Sequence, residues 1–167
     1  MPKTLIINDA NILIDIEVSG LTALVFELEY HFAVSDILYQ EEIEPYTTEF
    51  KQTALKAISF DEGTNSLLLE KIAVYKEIAL SRNDISAMVL AIKNECILLT
   101  GEKLLRDTAE NEGIEVHGIL WLMEELFNNE IIDIEAVENA YERMREENSR
   151  LPWVEVERQL RRFNRAK

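Results

Sequence analysis

Asp9, the adjacent Glu41 and Glu42, Asp84 and Glu102 are the residues of this chain best placed to do chemistry, because each falls where an apolar run ends or faces inward. Asp9 follows the run Thr4 to Ile7 after Asn8, and Glu102 follows Cys96 to Thr100 after Gly101. If those runs are parallel strands, the crevice outside their carboxyl ends is the ligand-binding edge of the sheet. At about 100° per residue, Glu41 projects between Ile37 and Leu38 on one helix face and Glu42 lies at that stripe's edge, so Glu41 is the preferred member of the pair. The same arithmetic puts Asp84 between Met88 and Ala91 in a first helical turn, where the helix dipole favours an anion. Carboxylates sharing one crevice repel, and a buried charge must protonate or find a counter-ion. A hard divalent cation meets that need. With two His and one Cys in the chain zinc is disfavoured, whereas an all-oxygen donor set suits Mg²⁺ or Mn²⁺. Such an ion would also invert the local field and admit a phosphodiester. Taken singly, each acid has a milder reading, as a helix cap for Asp9, Asp84 or Glu102 and as a solvated face for Glu41 and Glu42. The joint pattern carries the argument.

The elements that must position these acids are short strands alternating with helices. Strands are expected at Thr4 to Ile7, Phe32 to Ser35, Ala57 to Phe60 (a weak signal), Cys96 to Thr100 and Ile114 to His117. Helical periodicity fills the intervals. It runs from Asp9 to about Tyr30 with a break near Gly20, from Asp36 as cap through Glu42, over Tyr46 to Lys56, to about Leu80, over Asp84 to Glu95 with Asn83 as cap, to Gly113, and over Ile119 to Phe127. Such alternation implies a parallel sheet covered on both faces. Beyond Asn128 strand signals cease, and two helices are expected, at about Asp133 to Asn148 and Pro152 to Asn164. Residues 1–128 therefore read as an α/β domain and residues 129–167 as a helical extension packed on the same domain or on a sister subunit.

Composition narrows the function classes. A chain of 167 residues with 47% apolar and 29% charged residues can bury an ordinary core. Its net charge of −15 opposes passive adhesion to nucleic acid or anionic lipid, so an anionic substrate needs a local device. Residues 150–167 depart from that balance, with six Lys or Arg against two Glu. The single Cys96 excludes an internal disulfide and fits a reducing compartment. No export signal or membrane-length apolar run is visible, and a cytoplasmic location is expected.

Four of these segments resemble the motifs of PIN-domain nucleases, especially the prokaryotic group that includes toxins of toxin–antitoxin pairs. They are Ile6-Ile7-Asn8-Asp9-Ala10-Asn11-Ile12-Leu13-Ile14, Val34 to Glu41, Asn83 to Ala91, and Leu98 to Leu105 extended by Gly113 to Gly118 and Leu120-Trp121-Leu122. The similarity spans roughly residues 4–127. It implies a three-layer α/β/α fold with a short central parallel sheet plus C-terminal helices, and Asp9, Glu41, Asp84 and Glu102 as a catalytic, metal-binding set for Mg²⁺ or Mn²⁺. Asn11 and Thr100 would orient those carboxylates. The implied activity is endoribonucleolytic hydrolysis of RNA by metal-activated water, with Asp84 or Asp9 as general base and one or two metals. The implied partners are RNA, an antitoxin protein and a second copy in a homodimer, with no membrane. One departure stands out: the family usually has aspartate where Glu102 stands, which motivates an alternative reading as a catalytically weak PIN-fold binding module for protein or RNA.

Other residues read more plainly. Lys103 and Arg106 lie near the fourth motif and could touch phosphate, although a solvated helix face is the commoner role. His31 and His117 lack metal-like spacing and read as structural, and Trp121 reads as core or interface. Trp153, Val156, Leu160 and Phe163 form an apolar stripe flanked by arginines, suited to packing first and RNA second. A phosphoacceptor domain is a distant rival, since only Asp61 after a weak strand could serve as acceptor.

Overall fold

In the computed structural model, which describes residues 4–166, five short strands form one parallel sheet in the order β3-β2-β1-β4-β5. They are β1 (Thr4–Asn8), β2 (Tyr30–Ser35), β3 (Lys56–Ile58), β4 (Ile97–Leu99) and β5 (Val116–His117). β1 is central, with Ile7 opposite Ala33 of β2 on one side and Leu98 of β4 on the other. Successive strand residues point to opposite faces. Ile6, Phe32, Val34 and Leu99 therefore enter one core, and Ile7, Ala33 and Leu98 the other.

Helices α1 (Ala10–Ser19), α2 (Thr22–Val25), α7 (Ile119–Asn128), α8 (Ile134–Glu146) and α9 (Trp153–Arg165) cover the first face. Helices α4 (Glu62–Val74), α5 (Arg82–Asn94) and α6 (Lys103–Asn111) cover the second. The short α3 (Asp36–Leu38) follows β2. The result is the three-layer α/β/α arrangement. Among the described residues no helix is long and apolar enough to cross a membrane.

Local chemistry explains where the elements differ from the periodicity. Gly20 ends α1 with φ +78, a left-handed conformation suited to glycine, and its missing side chain lets the Arg143 guanidinium of α8 lie against it. Tyr46 to Lys56 is not helical beyond a 3₁₀ turn at Glu49–Gln52. Thr47 and Thr53 take the Glu49 and Leu55 amides on their hydroxyls, competing with helical bonding. Ser35, rather than Asp36, caps α3 by accepting the Leu38 amide at 3.0 Å. Ser81, rather than Asn83, caps α5, through a reciprocal capping box with Asp84. The helix after Asp61 stops at Val74, short of Leu80.

The C-terminal helices share the first core. α8 lays Val137, Ala140, Tyr141 and Met144 into it, and α9 adds Val156 and Phe163. Phe163 stacks on Phe127 of α7 with ring centroids 4.1 Å apart. The Tyr141 hydroxyl donates to Gln159 Oε1 at 2.5 Å, while Gln159 Nε2 donates to the Leu120 carbonyl at 2.8 Å. Replacing Phe163 by Ala removes a buried aromatic from this junction and should cost about 3–5 kcal/mol. Urea denaturation measures it, and a loss below about 1 kcal/mol would show that α9 is not part of the cooperative core.

Candidate active site

The strand order reverses direction between β1 and β4: β2 and β3 extend to one side of β1, β4 and β5 to the other. That switch point opens a crevice beyond the carboxyl ends of the two strands. Asp9 follows β1 directly and is 3% exposed. Its amide donates to the Leu99 carbonyl at 3.0 Å, and its Oδ2 accepts the Thr100 hydroxyl at 2.9 Å. The same Thr100 oxygen accepts the Glu102 amide at 3.0 Å. One hydroxyl thus couples the end of β1 to the loop after β4. Glu102 itself is exposed at the start of α6, and its Oε1 accepts Asn11 Nδ2 at 2.7 Å.

Asp84 reaches the crevice from the first turn of α5, half-buried, with Oδ2 accepting the Ser81 amide at 3.0 Å. Its position there follows from the capping box, which orients the carboxyl and satisfies an otherwise free helix-end amide. Burial pushes the Asp9 carboxyl up to about 6; the Thr100 hydroxyl opposes the shift, and the charges of Asp84 and Glu102 add to it. Asp9 therefore lies within the fields of both Asp84 and Glu102.

Glu41 and Glu42 sit differently from the helical arithmetic. Tyr39–Ile43 forms a π turn, whose wider winding breaks the 3.6-residue step. Ile37, expected to face inward, is 41% exposed. Glu41 is exposed, with Asn83 Nδ2 standing 3.4 Å from its Oε2. Glu42 is half-buried, and burial, then Asp84 and Glu41, raise its carboxyl against the Asn83 amide. Sequence reasoning also passed over Asn8, fully buried beside Asp9. Its Nδ2 donates to the Ala33 carbonyl at 3.0 Å, tying β1 to β2, and its Oδ1 has no partner among the described residues.

Among the described residues no salt bridge involves Asp9, Glu41, Glu42, Asp84 or Glu102. No three His, Cys, Asp or Glu side chains among those residues form a ready-made cage for an ion. The donor set is nonetheless all oxygen and lacks a salt-bridge partner among the described residues, the donor chemistry that a hard divalent cation takes.

A family model, DUF3368, described as PIN domain, matches residues 5–165. The chain belongs to the PIN-domain family. This is a nuclease fold acting on phosphodiesters, and PIN domains generally use divalent metal ions. No curated protein matches the chain. The PIN-domain match includes α8 and α9 as well as the sheet.

The remaining candidates fall outside the crevice. Asp61 follows edge strand β3, and its Oδ1 caps α4 by accepting the Thr64 amide at 2.7 Å, so a central acceptor aspartate is absent there. His117 stacks on Trp121 at 4.6 Å and meets Glu115 Oε2 at 3.0 Å. Lys103 pairs with Asp107 one turn on. A cavity of about 930 Å³ opens at the opposite, amino end of the sheet, between Thr4, Tyr30, Ile97 and Trp121.

The raised Asp9 carboxyl has a thermodynamic consequence. Because the folded chain holds this proton up to about pH 6, against an ordinary value of 3.8, Asp9 favours folding below pH 3.8, and that contribution fades as pH rises through 6. In EDTA, Asp9→Asn should exceed the native protein in stability by up to about 3 kcal/mol at pH 7–8, converging with it near pH 4. Thermal denaturation across pH reads the difference; equal stability at pH 8 would contradict it.

Proposed function

We propose that this PIN-domain protein is a Mg²⁺- or Mn²⁺-dependent endoribonuclease and the toxin of a toxin–antitoxin pair. The observation that carries the reading is Asp9: a carboxylate buried at the switch point, beside further acids and without a cationic partner among the described residues. Asp9, Asp84, Glu102 and the Glu41–Glu42 pair would hold the ion. When bound, it supplies a positive field for the phosphodiester and lowers the pKa of water.

The chain's own residues do the rest. Thr100 fixes one Asp9 oxygen, and the Ser81 amide fixes one Asp84 oxygen, so each carboxylate presents its other oxygen without a rotational search. As the water oxygen bonds to phosphorus, its proton would pass to Asp84 or Asp9, and the ribose oxygen released when its P–O bond breaks would take a proton from solvent. Glu42 is the stronger candidate of its pair because its carboxyl feels Asp84. An antitoxin covering the crevice finds apolar purchase at Ile37 and Leu104, each about two-fifths exposed and close in sequence to crevice acids. A second copy is the other protein partner this reading carries.

Incubation with single-stranded RNA tests it. Cleavage should require Mg²⁺ or Mn²⁺, stop in EDTA, and fall at least about 100-fold in Asp9→Asn, the scale of losing a group that positions charge in the transition state. Glu42→Gln should lower the rate more than Glu41→Gln. Cleavage that survives EDTA and Asp9→Asn would refute the metal mechanism. Induced expression should arrest growth, and co-expression of a small adjoining reading frame should relieve the arrest.

The Asn11–Glu102 hydrogen bond favours a second reading, a PIN-fold binding module of weak activity, because it turns one acid toward α1. On that reading the native protein is inert on varied RNAs, and Glu102→Asp, which restores the family's usual side chain, gains Mn²⁺-dependent cleavage.

A further inference from the structure

Beside the carboxylates lies a second pocket of opposite sign. A cavity of about 270 Å³ opens between Gly101, Gly118 and Ile119, and Arg106 and Arg150 face it. Gly101 is the residue between Thr100 and Glu102, so the cavity adjoins the crevice along the chain. Arg106, half-buried on α6, departs from a solvated helix face. Its guanidinium Nη2 lies 3.5 Å from the Thr100 carbonyl and would stand 3.3 Å from a Cβ at Gly118. One nitrogen is thereby anchored at the strand end that holds Asp9, and the other donors of the fork remain available.

Among the described residues, three arginines of the C-terminal helices are held by carboxylates, and the two facing the cavity are not. Arg145, Arg158 and Arg162 are paired with Glu157, Glu155 and Glu124. Among the described residues neither Arg106 nor Arg150 has a carboxylate partner, in a chain of net charge −15. Glu155, the acid in the cavity wall, is engaged by Arg158 at 2.8 Å. The ten-residue helix α7 also begins at this wall without a side-chain cap, adding a dipole of the same sign.

We propose that the cavity between Arg106 and Arg150 binds a backbone phosphate of single-stranded RNA, next to the phosphodiester presented to the carboxylates. The proposal rests on the ribonuclease reading above and adds the device that brings a polyanion to an acidic protein. A guanidinium fork matches phosphate geometry and keeps its charge at any working pH. Contacts remote from the reacting phosphorus bind substrate and transition state alike, so they govern KM rather than kcat.

Fluorescence anisotropy with labelled single-stranded RNA in EDTA, from about 50 to about 200 mM salt, reads binding apart from cleavage. Arg150 makes no side-chain hydrogen bond among the described residues, so Arg150→Ala tests the contact without loosening the fold. It should weaken binding about tenfold and flatten the log–log salt slope by about 0.7, one phosphate contact on a single strand. Arg106→Lys should fall between native protein and Arg106→Ala. With Mg²⁺, both Ala variants should raise KM and hold kcat within about twofold. Unchanged affinity and slope in both Ala variants would overturn the proposal, as would a loss confined to kcat. A native protein that cleaves RNA while the variants keep its slope removes the subsite alone. One that binds without cleaving removes the nuclease reading and leaves the slope to decide the subsite. One that binds no RNA removes both.

Discussion

An ionised Asp9 would have almost no water around it, and the structure is arranged about that cost. A carboxylate 3% exposed loses most of its hydration, and what replaces it among the described residues is the Thr100 hydroxyl, helped by the Ala10 amide, rather than a cation. The strand order makes the replacement feasible, since β1 and β4 are neighbours and deliver Asp9 and Thr100 to the same end of the sheet. Burial is deepened from both layers. α1 begins immediately after Asp9, and α5, whose cap carries Asp84, packs against the opposite face of β1. The folded protein thus holds a proton at this position more readily than its unfolded chain would.

The same constraint organises charge over the rest of the molecule. With acids exceeding bases by 15, Arg145, Arg158 and Arg162 of the C-terminal layer are committed to ion pairs. Arg162 grips Glu124 through two nitrogens and holds that carboxyl down, and Arg145 lies 4.2 Å over the Trp153 ring while also reaching Glu157. These pairs tie α9 to α7 and α8. The arginine flank of α9, which the sequence suits to packing first and RNA second, contributes Arg162 to the polar rim of that packing. Cationic surface near the crevice is left to residues from loops and from α6, where sequence offers no periodic cue.

Much of this was legible in the sequence, for identifiable reasons. All five strands lie where short apolar runs meet polar stops, and Asp9 and Glu102 follow from strand ends, which need no angular arithmetic, whereas Thr100 entered through the family resemblance. The two sheet faces were implicit in the alternation of Ile6 with Ile7 and Phe32 with Ala33. What resisted reading depended on competition or on distance. Ser81 and Asn83 are both good caps, and the reciprocal bond from Asp84 selects Ser81. Threonines at 47 and 53 turn a helical pattern into a 3₁₀ turn because their hydroxyls take nearby amides. The π turn at Tyr39–Ile43 changes the winding under Glu41 and Glu42, so their facing cannot be extrapolated from Leu38. Arg106 looked solvated because the glycine that makes room for it is twelve residues away.

Glu102 shows how a long acidic side chain is held in place by a neighbour. The extra methylene relative to aspartate lengthens the reach from the start of α6, and at that reach the carboxylate meets Asn11, one helical position past Ala10 on α1. The 2.7 Å bond restrains a side chain with more rotamers than aspartate, so the entropy of ordering it is partly offset before any ligand arrives. It also fixes the loop after β4 to the start of α1 at a second point, beside the Thr100 bond to Asp9. Those two bonds span the same pair of elements and constrain the same crevice. The position of Glu102 is therefore set by Asn11 and Thr100 together, so a change at Asn11 acts on the crevice through Glu102 even though its own side chain carries no charge.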